Sequence, residues 1–165
     1  MPRYLYLLRH AESAEKQMGQ HDRERELTQR GVREASLMGA YLLKENTKFD
    51  AVHCSSASRA RSTAVVLAES MKIEGEKIDE HDELYDASTR TFFEFITQFN
   101  DDEQTILCIG HNPVISYLAE SLTKSEIGEM PPAGLAVLKF ASDQWKDILP
   151  GTAELQNYVY PQMLM

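Results

Sequence analysis

Short apolar runs alternate along this chain with longer segments in which apolar residues recur every three or four positions. The short runs are too brief for helices and are typical of strands that are buried on both faces of a sheet. Such strands are predicted over residues 4–10, 49–54 and 105–109. A further short strand is predicted near Ile78.

The periodic segments predict four helices between and after these strands. The first begins at Thr28, whose side chain suits the N-cap position, and Ser55 or Ser58 is predicted to cap the second. Asn112 is predicted to cap the fourth, with Pro113 at its first helical position. The buried stripes of the first, third and fourth helices are predicted at Ala35, Met38 and Leu42; Phe92, Ile96 and Phe99; and Val114, Leu118 and Leu122.

Alternation of strands and helices predicts a mostly parallel sheet with helices on both faces. Towards the end of the chain, residues 135–140 and 145–149 are predicted to form a hairpin, and the tail from Gly151 is expected to be irregular. No internal repeat, linker or low-complexity segment interrupts the pattern. The prediction is therefore a single three-layer α/β/α domain over residues 1–165.

The composition narrows the function classes. With 165 residues, 42% of them hydrophobic, the chain can bury a core of its own. A net charge of −9 argues against a nucleic-acid or anionic-membrane surface. Cys54 and Cys108 are too few and too far apart for a disulfide framework or a zinc site. Neither a signal peptide nor a membrane span is predicted, so we expect a cytoplasmic protein. We also expect it to be a monomer.

Basic side chains stand where predicted strands end or helices begin. Arg9 and His10 close the first strand, Arg59 opens the second helix, and His111 follows the strand over residues 105–109. The carboxyl ends of parallel strands share one edge, where α/β proteins bind ligands, so we expect these side chains to surround one site. Together with helix N-termini they suit a doubly charged oxyanion, most simply a phosphoryl group.

Two histidines at such a site can divide the work of phosphoryl transfer. One attacks phosphorus and forms a covalent intermediate, and the other donates to the phosphoryl oxygens as charge builds. This chemistry needs no metal, and neither a metal nor a cofactor is predicted, since the chain has no Asp-rich cluster or paired-histidine spacing. His21, His53 and His81 are predicted to have no catalytic role.

Four segments carry a recognisable pattern in order and spacing: Leu8-Arg9-His10-Ala11-Glu12, Leu27-Thr28-Gln29-Arg30-Gly31, the stretch over residues 55–64, and Gly110-His111-Asn112. They resemble the Arg-His, Leu-Thr-x-x-Gly, Ser-Pro-x-x-Arg-Ala-x-x-Thr-Ala and Gly-His motifs of the histidine phosphatase (phosphoglycerate mutase-like) superfamily. Ser56 replaces the common proline and Ala11 the frequent glycine. The short length, Gly-His-Asn-Pro over 110–113 and Leu-Tyr-Asp-Ala over 84–87 resemble the SixA phosphohistidine phosphatase branch.

The resemblance implies a phosphoglycerate mutase-like fold and a metal-independent reaction in which His10 is the nucleophile. The residues that it implies for binding or stabilising the phosphoryl group are Arg9, Arg59 and His111. SixA-like proteins also use an arginine in the loop before the first helix, for which Arg25 is the first candidate and Arg23 the second.

For the proton donor, the sequence offers two alternatives. Mutase-like relatives place a glutamate two residues after a mid-chain leucine, and here Asp86 stands at that position, with Glu83 as the alternative. Because imidazole leaves more readily than an alkoxide, a weak acid position favours phosphohistidine as the substrate. An open rim with short loops also suits a phosphohistidine on a protein surface. By resemblance, that partner is a histidine phosphotransfer domain or a phosphocarrier protein in signal transduction.

Two other functions stay open. The first is a phosphomonoesterase for a small phosphorylated metabolite, and the second is a non-catalytic module that binds phosphate or phosphohistidine. A mutase is less favoured because the chain is short and its acid position is weak. The presence of all four basic site residues argues against a module that has lost its activity.

Overall fold

The computed structural model describes residues 1–165, which form six strands and four α-helices. The strands are β1 Arg3–Arg9, β2 Ala51–Ser55, β3 Ile78–His81, β4 Thr105–Gly110, β5 Leu135–Phe140 and β6 Glu154–Val159. The helices are α1 Gln29–Lys44, α2 Ser58–Met71, α3 Thr89–Thr97 and α4 Val114–Thr123.

All six strands join one sheet in the order β3-β2-β4-β1-β5-β6. Strands β1 to β4 run parallel, whereas β5 runs antiparallel to both β1 and β6. The predicted mostly parallel sheet is confirmed, including the short strand at Ile78. Because β1 and β4 are neighbours in the middle of the sheet, the residues that follow them emerge side by side.

Helices cover both faces of the sheet, as the alternating pattern predicts. On one face α1 and α2 pack through Met38 and Leu67 against apolar strand residues, and on the other α3 and α4 pack through Phe92 and Leu118. The three-layer α/β/α architecture is thus confirmed. None of the four helices combines the length and apolar character that crossing a membrane requires.

The predicted caps of the first two helices have different outcomes. Thr28 caps α1 as predicted, and its hydroxyl accepts a hydrogen bond from the Gly31 amide at 3.0 Å. The prediction for α2 is wrong: Ala57 occupies the N-cap and Ser58 is already helical. Ser55 is buried at the end of β2, where its hydroxyl accepts from the Ala57 amide and faces the site described below.

The start of α4 lies one residue later than predicted, with Pro113 at the N-cap and Val114 as the first helical residue. The Asn112 side chain does not cap this helix. Its amide donates to the Met130 carbonyl at 3.0 Å, and its oxygen accepts from the Ser116 hydroxyl at 2.6 Å. Asn112 therefore ties the start of α4 to the loop before β5.

The predicted hairpin over 135–140 and 145–149 is wrong in its second strand. Strand β5 pairs with β6, which lies in the tail expected to be irregular. Residues Trp145–Asp147 form a 3-10 turn, and the Trp145 side chain is fully buried with its indole N–H donating to the Glu103 carbonyl at 2.6 Å. These apolar residues fill the core beside α3 instead of extending the sheet.

Candidate functional site

The two histidines predicted for the site meet at the carboxyl edge of the sheet. His10 follows β1 and His111 follows β4, and their ring centroids are 5.1 Å apart. The His10 amide donates to the Gly110 carbonyl at 3.0 Å, which joins the two strand ends directly. The parallel pairing of β1 with β4 is therefore what brings these histidines together.

The His10 ring is held in one orientation. Its Nδ1 lies 2.7 Å from the Ala11 carbonyl, which can only accept, so Nδ1 carries the proton and Nε2 keeps its lone pair. Only 8% of the residue is exposed, and this burial lowers the pKa of His10 to about 3. At neutral pH the ring is uncharged, which is the form that a nucleophile requires.

Two helices hold the backbone that follows β1. The Ala11 amide donates to the Thr63 hydroxyl of α2 at 2.9 Å, and the Glu12 carbonyl accepts from the Thr28 amide at 3.0 Å. A Cβ at Gly31 would lie 2.2 Å from the Glu12 oxygen, so only glycine lets α1 approach this closely. The Leu-Thr-x-x-Gly and Arg-Ala-x-x-Thr segments thus act by positioning the strand end.

The His111 ring is fixed by Ser55 from the neighbouring strand β2. The Ser55 hydroxyl lies 2.8 Å from Nε2 of His111, while Nδ1 is buried without a hydrogen-bond partner. Burial, followed by the Arg59 charge, lowers the pKa of His111 to about 4. A neutral His111 carries one ring N–H, so it can donate one hydrogen bond and accept another.

The predicted site consists of four side chains that lie close together at this edge of the sheet: Arg9, His10, Arg59 and His111. The charges of Arg9 and Arg59 both lie close enough to lower the pKa of His10 and of His111. Arg9 donates to the Met130 carbonyl at 2.8 Å and borders a cavity of about 470 Å³.

Two larger cavities of the molecule lie at different places. The cavity beside Arg9 has a volume of about 470 Å³ and is also lined by Asn112 and Glu129. The cavity of about 550 Å³ lies between α3 and β3, away from Arg9, and is lined by His53 and His81. Of these two cavities, the one beside Arg9 adjoins the predicted site residues.

An aspartate that the sequence did not single out contacts the predicted arginines. Arg59 donates to the Asp22 main-chain carbonyl at 2.9 Å and to its carboxylate at 3.0 Å. Arg25 donates to the other carboxylate oxygen at 3.0 Å, and the Tyr85 hydroxyl donates at 2.6 Å. The bond from Tyr85, together with those from Arg25 and Arg59, holds the pKa of Asp22 well below its usual range.

The candidates for the additional loop arginine and for the proton donor lie in different places. Arg25 contacts Asp22, whereas Arg23 lies at the surface, where it contacts Asp82 and lies over the Tyr85 ring. Asp86 lines a cavity of about 220 Å³ together with His111. Glu83 lies elsewhere, with its carboxylate 3.9 Å from the His81 ring. Of the two acids, Asp86 is therefore the one placed beside a site histidine.

His53 and His81 form a pair of their own on the α3 side of the sheet. Nδ1 of His53 lies 2.9 Å from Nε2 of His81, and the His53 ring stacks on Phe99. Neither contacts the four predicted site residues. No group of three or more His, Cys, Asp or Glu side chains is arranged to hold a metal ion.

Sequence reasoning missed Asp22, Ser55 as a partner of His111, and Tyr85. Ser55 had a usable signal, because it ends β2 at the same sheet edge as the histidines. Asp22 and Tyr85 had none, since they lie in connecting segments and meet across 63 positions of sequence.

The site as a whole presents a neutral imidazole with an available Nε2 lone pair, a second neutral imidazole, and nearby guanidinium groups. The imidazole can attack an electrophile, and the cations can bind the negative charge that such an electrophile carries. A phosphoryl group meets both requirements.

Comparisons with known proteins address the family and the fold of the chain. Residues 5–102 match the family model of the histidine phosphatase superfamily, branch 1. The uncharacterized protein Rv1276c of Mycobacterium tuberculosis (strain ATCC 25618 / H37Rv) is 37% identical over 165 residues, covering 94% of this chain and 100% of that protein.

Two solved structures resemble the whole chain. A candidate phosphohistidine phosphatase SixA from Nakamurella multipartitia has a TM-score of 0.83 and 28% identity, covering 98% of this chain and 97% of its own. A candidate phosphohistidine phosphatase SixA from Agrobacterium tumefaciens has a TM-score of 0.83 and 26% identity, covering 98% and 99%.

Proposed function

Because this chain belongs to the histidine phosphatase superfamily, we propose that it hydrolyses phosphohistidine on a protein through a covalent intermediate on His10. The observation that carries the proposal is the orientation of the His10 ring. The bond between Nδ1 and the Ala11 carbonyl leaves Nε2 as the nitrogen with a lone pair. The ring is also neutral at the pH of the cell, because burial lowers its pKa to about 3.

In the first step, the Nε2 lone pair of His10 forms a bond to phosphorus while the bond between phosphorus and the substrate imidazole breaks. The electron pair of that bond leaves with the imidazole nitrogen, which takes up a proton from Asp86 or from water. Arg9, Arg59 and Arg25 bind the phosphoryl oxygens, and His111 donates to them as charge builds.

In the second step, a water molecule attacks the phosphorus of the intermediate. The new bond between phosphorus and oxygen forms as the bond to Nε2 breaks, and its electron pair returns to His10. A proton of the attacking water passes to Asp86 or to bulk water, which restores the proton used in the first step. Inorganic phosphate leaves and the free enzyme is restored. The chain's own cationic and imidazole groups supply the electrostatic stabilisation that both steps require.

Phosphohistidine is favoured over a phosphate ester because of the acid position. Imidazole is a better leaving group than an alkoxide, so its departure depends less on a strong proton donor. Asp86 is an exposed carboxylate with no hydrogen bond to orient it, and Glu83 lies on the side of His81. The two SixA structures named above carry the same substrate class in their names.

The proposed partner is a histidine phosphotransfer domain or a phosphocarrier protein, and the proposed enzyme is a cytoplasmic monomer that acts in signal transduction. The buried thiols of Cys54 and Cys108 are both free, which is compatible with a reducing compartment. A phosphomonoesterase is the second candidate, and the placement of Asp86 beside His111 is the observation that favours it.

The test is a substrate panel in the presence of EDTA. A phosphohistidine protein and common phosphate monoesters are incubated with the purified protein, with His10→Asn, and with His53→Asn as a control at a histidine outside the site. We expect phosphate release from phosphohistidine by the unaltered protein and by His53→Asn, and none by His10→Asn. We also expect an acid-labile phosphoprotein intermediate that His10→Asn does not form.

Release from monoesters alone would establish the second candidate instead. Phosphate binding without release from any substrate would make the protein a binding module. Equal activity of His10→Asn and the unaltered protein would exclude His10 as the nucleophile.

A further inference from the structure

Asp22 occupies the donors that the proposed function assigns to the phosphoryl group. Its carboxylate accepts one hydrogen bond from Arg25, one from Arg59 and one from the Tyr85 hydroxyl, at 3.0, 3.0 and 2.6 Å. These donors come from three separate segments of the chain and converge on one anion. They form the kind of cationic, multidentate set that binds phosphate oxygens.

The contact differs from an ordinary surface ion pair. Arg59 is buried, and its guanidinium meets both the carboxylate and the main-chain carbonyl of Asp22. By contrast, Asp82 pairs with Arg23 at the surface, where 81% of the Asp82 side chain is exposed. Asp22 therefore places an internal negative charge against a buried cation of the site.

The Asp22 side chain also has a route out of this position. It is 44% exposed and lies in the 3-10 turn Asp22–Glu24, in which no residue is buried. Movement of this turn would break few apolar contacts, so the carboxylate can withdraw when a stronger anion arrives.

We infer that Asp22 is an internal competitor for the phosphoryl site, a role that rests on the proposed function of Arg25 and Arg59. A phosphoryl dianion, with three oxygens and more charge than a carboxylate, displaces Asp22 from the arginines. After hydrolysis the carboxylate returns and helps to expel inorganic phosphate. Asp22 thereby limits product inhibition and selects against weaker, singly charged anions.

The test measures binding of inorganic phosphate by calorimetry to the unaltered protein, to Asp22→Asn and to Asp82→Asn. Asparagine preserves the shape of the side chain and the main-chain contact to Arg59 but removes the charge. We expect Asp22→Asn to bind phosphate about tenfold more tightly, equivalent to about 1.4 kcal/mol. Asp82→Asn removes the same charge from an arginine pair outside the site and is expected to bind phosphate like the unaltered protein.

Phosphate inhibition of hydrolysis supplies a second readout, and its inhibition constant is expected to fall in Asp22→Asn alone. Weaker or unchanged phosphate binding by Asp22→Asn would overturn the inference and leave Asp22 as a residue that positions Arg59. Equal tightening in Asp82→Asn would also overturn it, because the effect would then be one of net charge.

Asp22→Ala serves as a second variant if the asparagine protein does not fold, with the same tightening expected. The calorimetric readout does not depend on the substrate of the enzyme. Tighter phosphate binding without phosphohistidine hydrolysis would contradict only the proposed function. Hydrolysis without the change in phosphate binding would contradict only the role of Asp22.

Discussion

Replacing Gly31 by alanine tests whether the close approach of α1 to the end of β1 positions His10. The new Cβ would lie 2.2 Å from the Glu12 carbonyl oxygen, about 1 Å closer than ordinary contacts permit. That oxygen also accepts the Thr28 amide at 3.0 Å. Either α1 or the backbone two residues beyond His10 must therefore move.

The expected loss of stability combines three effects. Overpacking costs about 1–3 kcal/mol, and loss of the hydrogen bond from Thr28 to Glu12 costs about 1 kcal/mol. Removing a helical glycine returns about 1 kcal/mol. We expect the free energy of unfolding to fall by about 1–3 kcal/mol in total.

The expected loss of activity is larger than this change in stability suggests. Displacement of a catalytic group by about 1 Å can cost on the order of 100-fold in rate. We expect kcat/KM for phosphohistidine hydrolysis to fall by roughly 10- to 100-fold under conditions where Gly31→Ala is fully folded. Urea denaturation establishes those conditions, and steady-state kinetics measures the rate.

Gly39→Ala is the matched control because Gly39 lies on the same helix. A Cβ there would lie 2.6 Å from the Ser70 Cβ and 2.7 Å from the Leu67 carbonyl oxygen of α2, away from the site. We expect this variant to lose stability without losing kcat/KM. Full activity of folded Gly31→Ala, or an equal loss of activity in Gly39→Ala, would refute the positioning role of Gly31.

Three further predictions concern the supports of the two histidines. Ser55→Ala leaves both ring nitrogens of His111 without a hydrogen-bond partner. We therefore expect kcat/KM to fall on the order of tenfold. An unchanged kcat/KM would exclude Ser55 as a positioning residue. Thr63→Val leaves the buried Ala11 amide without its acceptor, so we expect the free energy of unfolding measured by urea denaturation to fall by about 1–3 kcal/mol. Thr63→Ser keeps the hydroxyl and is expected to retain most of the stability. His10 has a pKa of about 3 in the folded protein and about 6.5 when unfolded. Between these pH values the unfolded state binds more protons than the folded state, so the free energy of unfolding falls as the pH drops through this range. His10→Asn is expected to reduce this fall by up to about 1.4 kcal/mol per pH unit; unfolding measured at pH 6 and pH 5 checks it, and an unchanged slope would contradict the neutral His10.

The central strands and the site edge were predictable because the relevant information is local. The apolar runs that became β1 and β4 are largely buried in the middle of the sheet, with Tyr4 and Tyr6 of β1 half-buried, and an unbroken apolar run reports such burial directly. A parallel sheet then places His10 and His111 at one edge without further assumptions. The four motifs also predicted the histidine phosphatase family, which the match over residues 5–102 confirms.

The errors arose where an apolar or polar pattern has more than one structural solution. Trp145 reads equally well as a strand residue and as a core residue, and it fills the core. Ser55 has the composition of a helix cap, but its position at the end of β2 turns its hydroxyl towards His111. In both cases the local preference was overruled by what packs against the residue.

By itself the sequence determined the layered α/β architecture, the sheet edge at which His10 and His111 meet and the identity of the basic residues there. Only the tertiary structure decided which partners those residues have: Ser55 for His111, and Asp22 for Arg59 and Arg25. The physical reason is that burial and helical periodicity are encoded in neighbouring positions. A hydrogen bond across 37 positions, such as that between Arg59 and Asp22, exists only once distant segments have packed together.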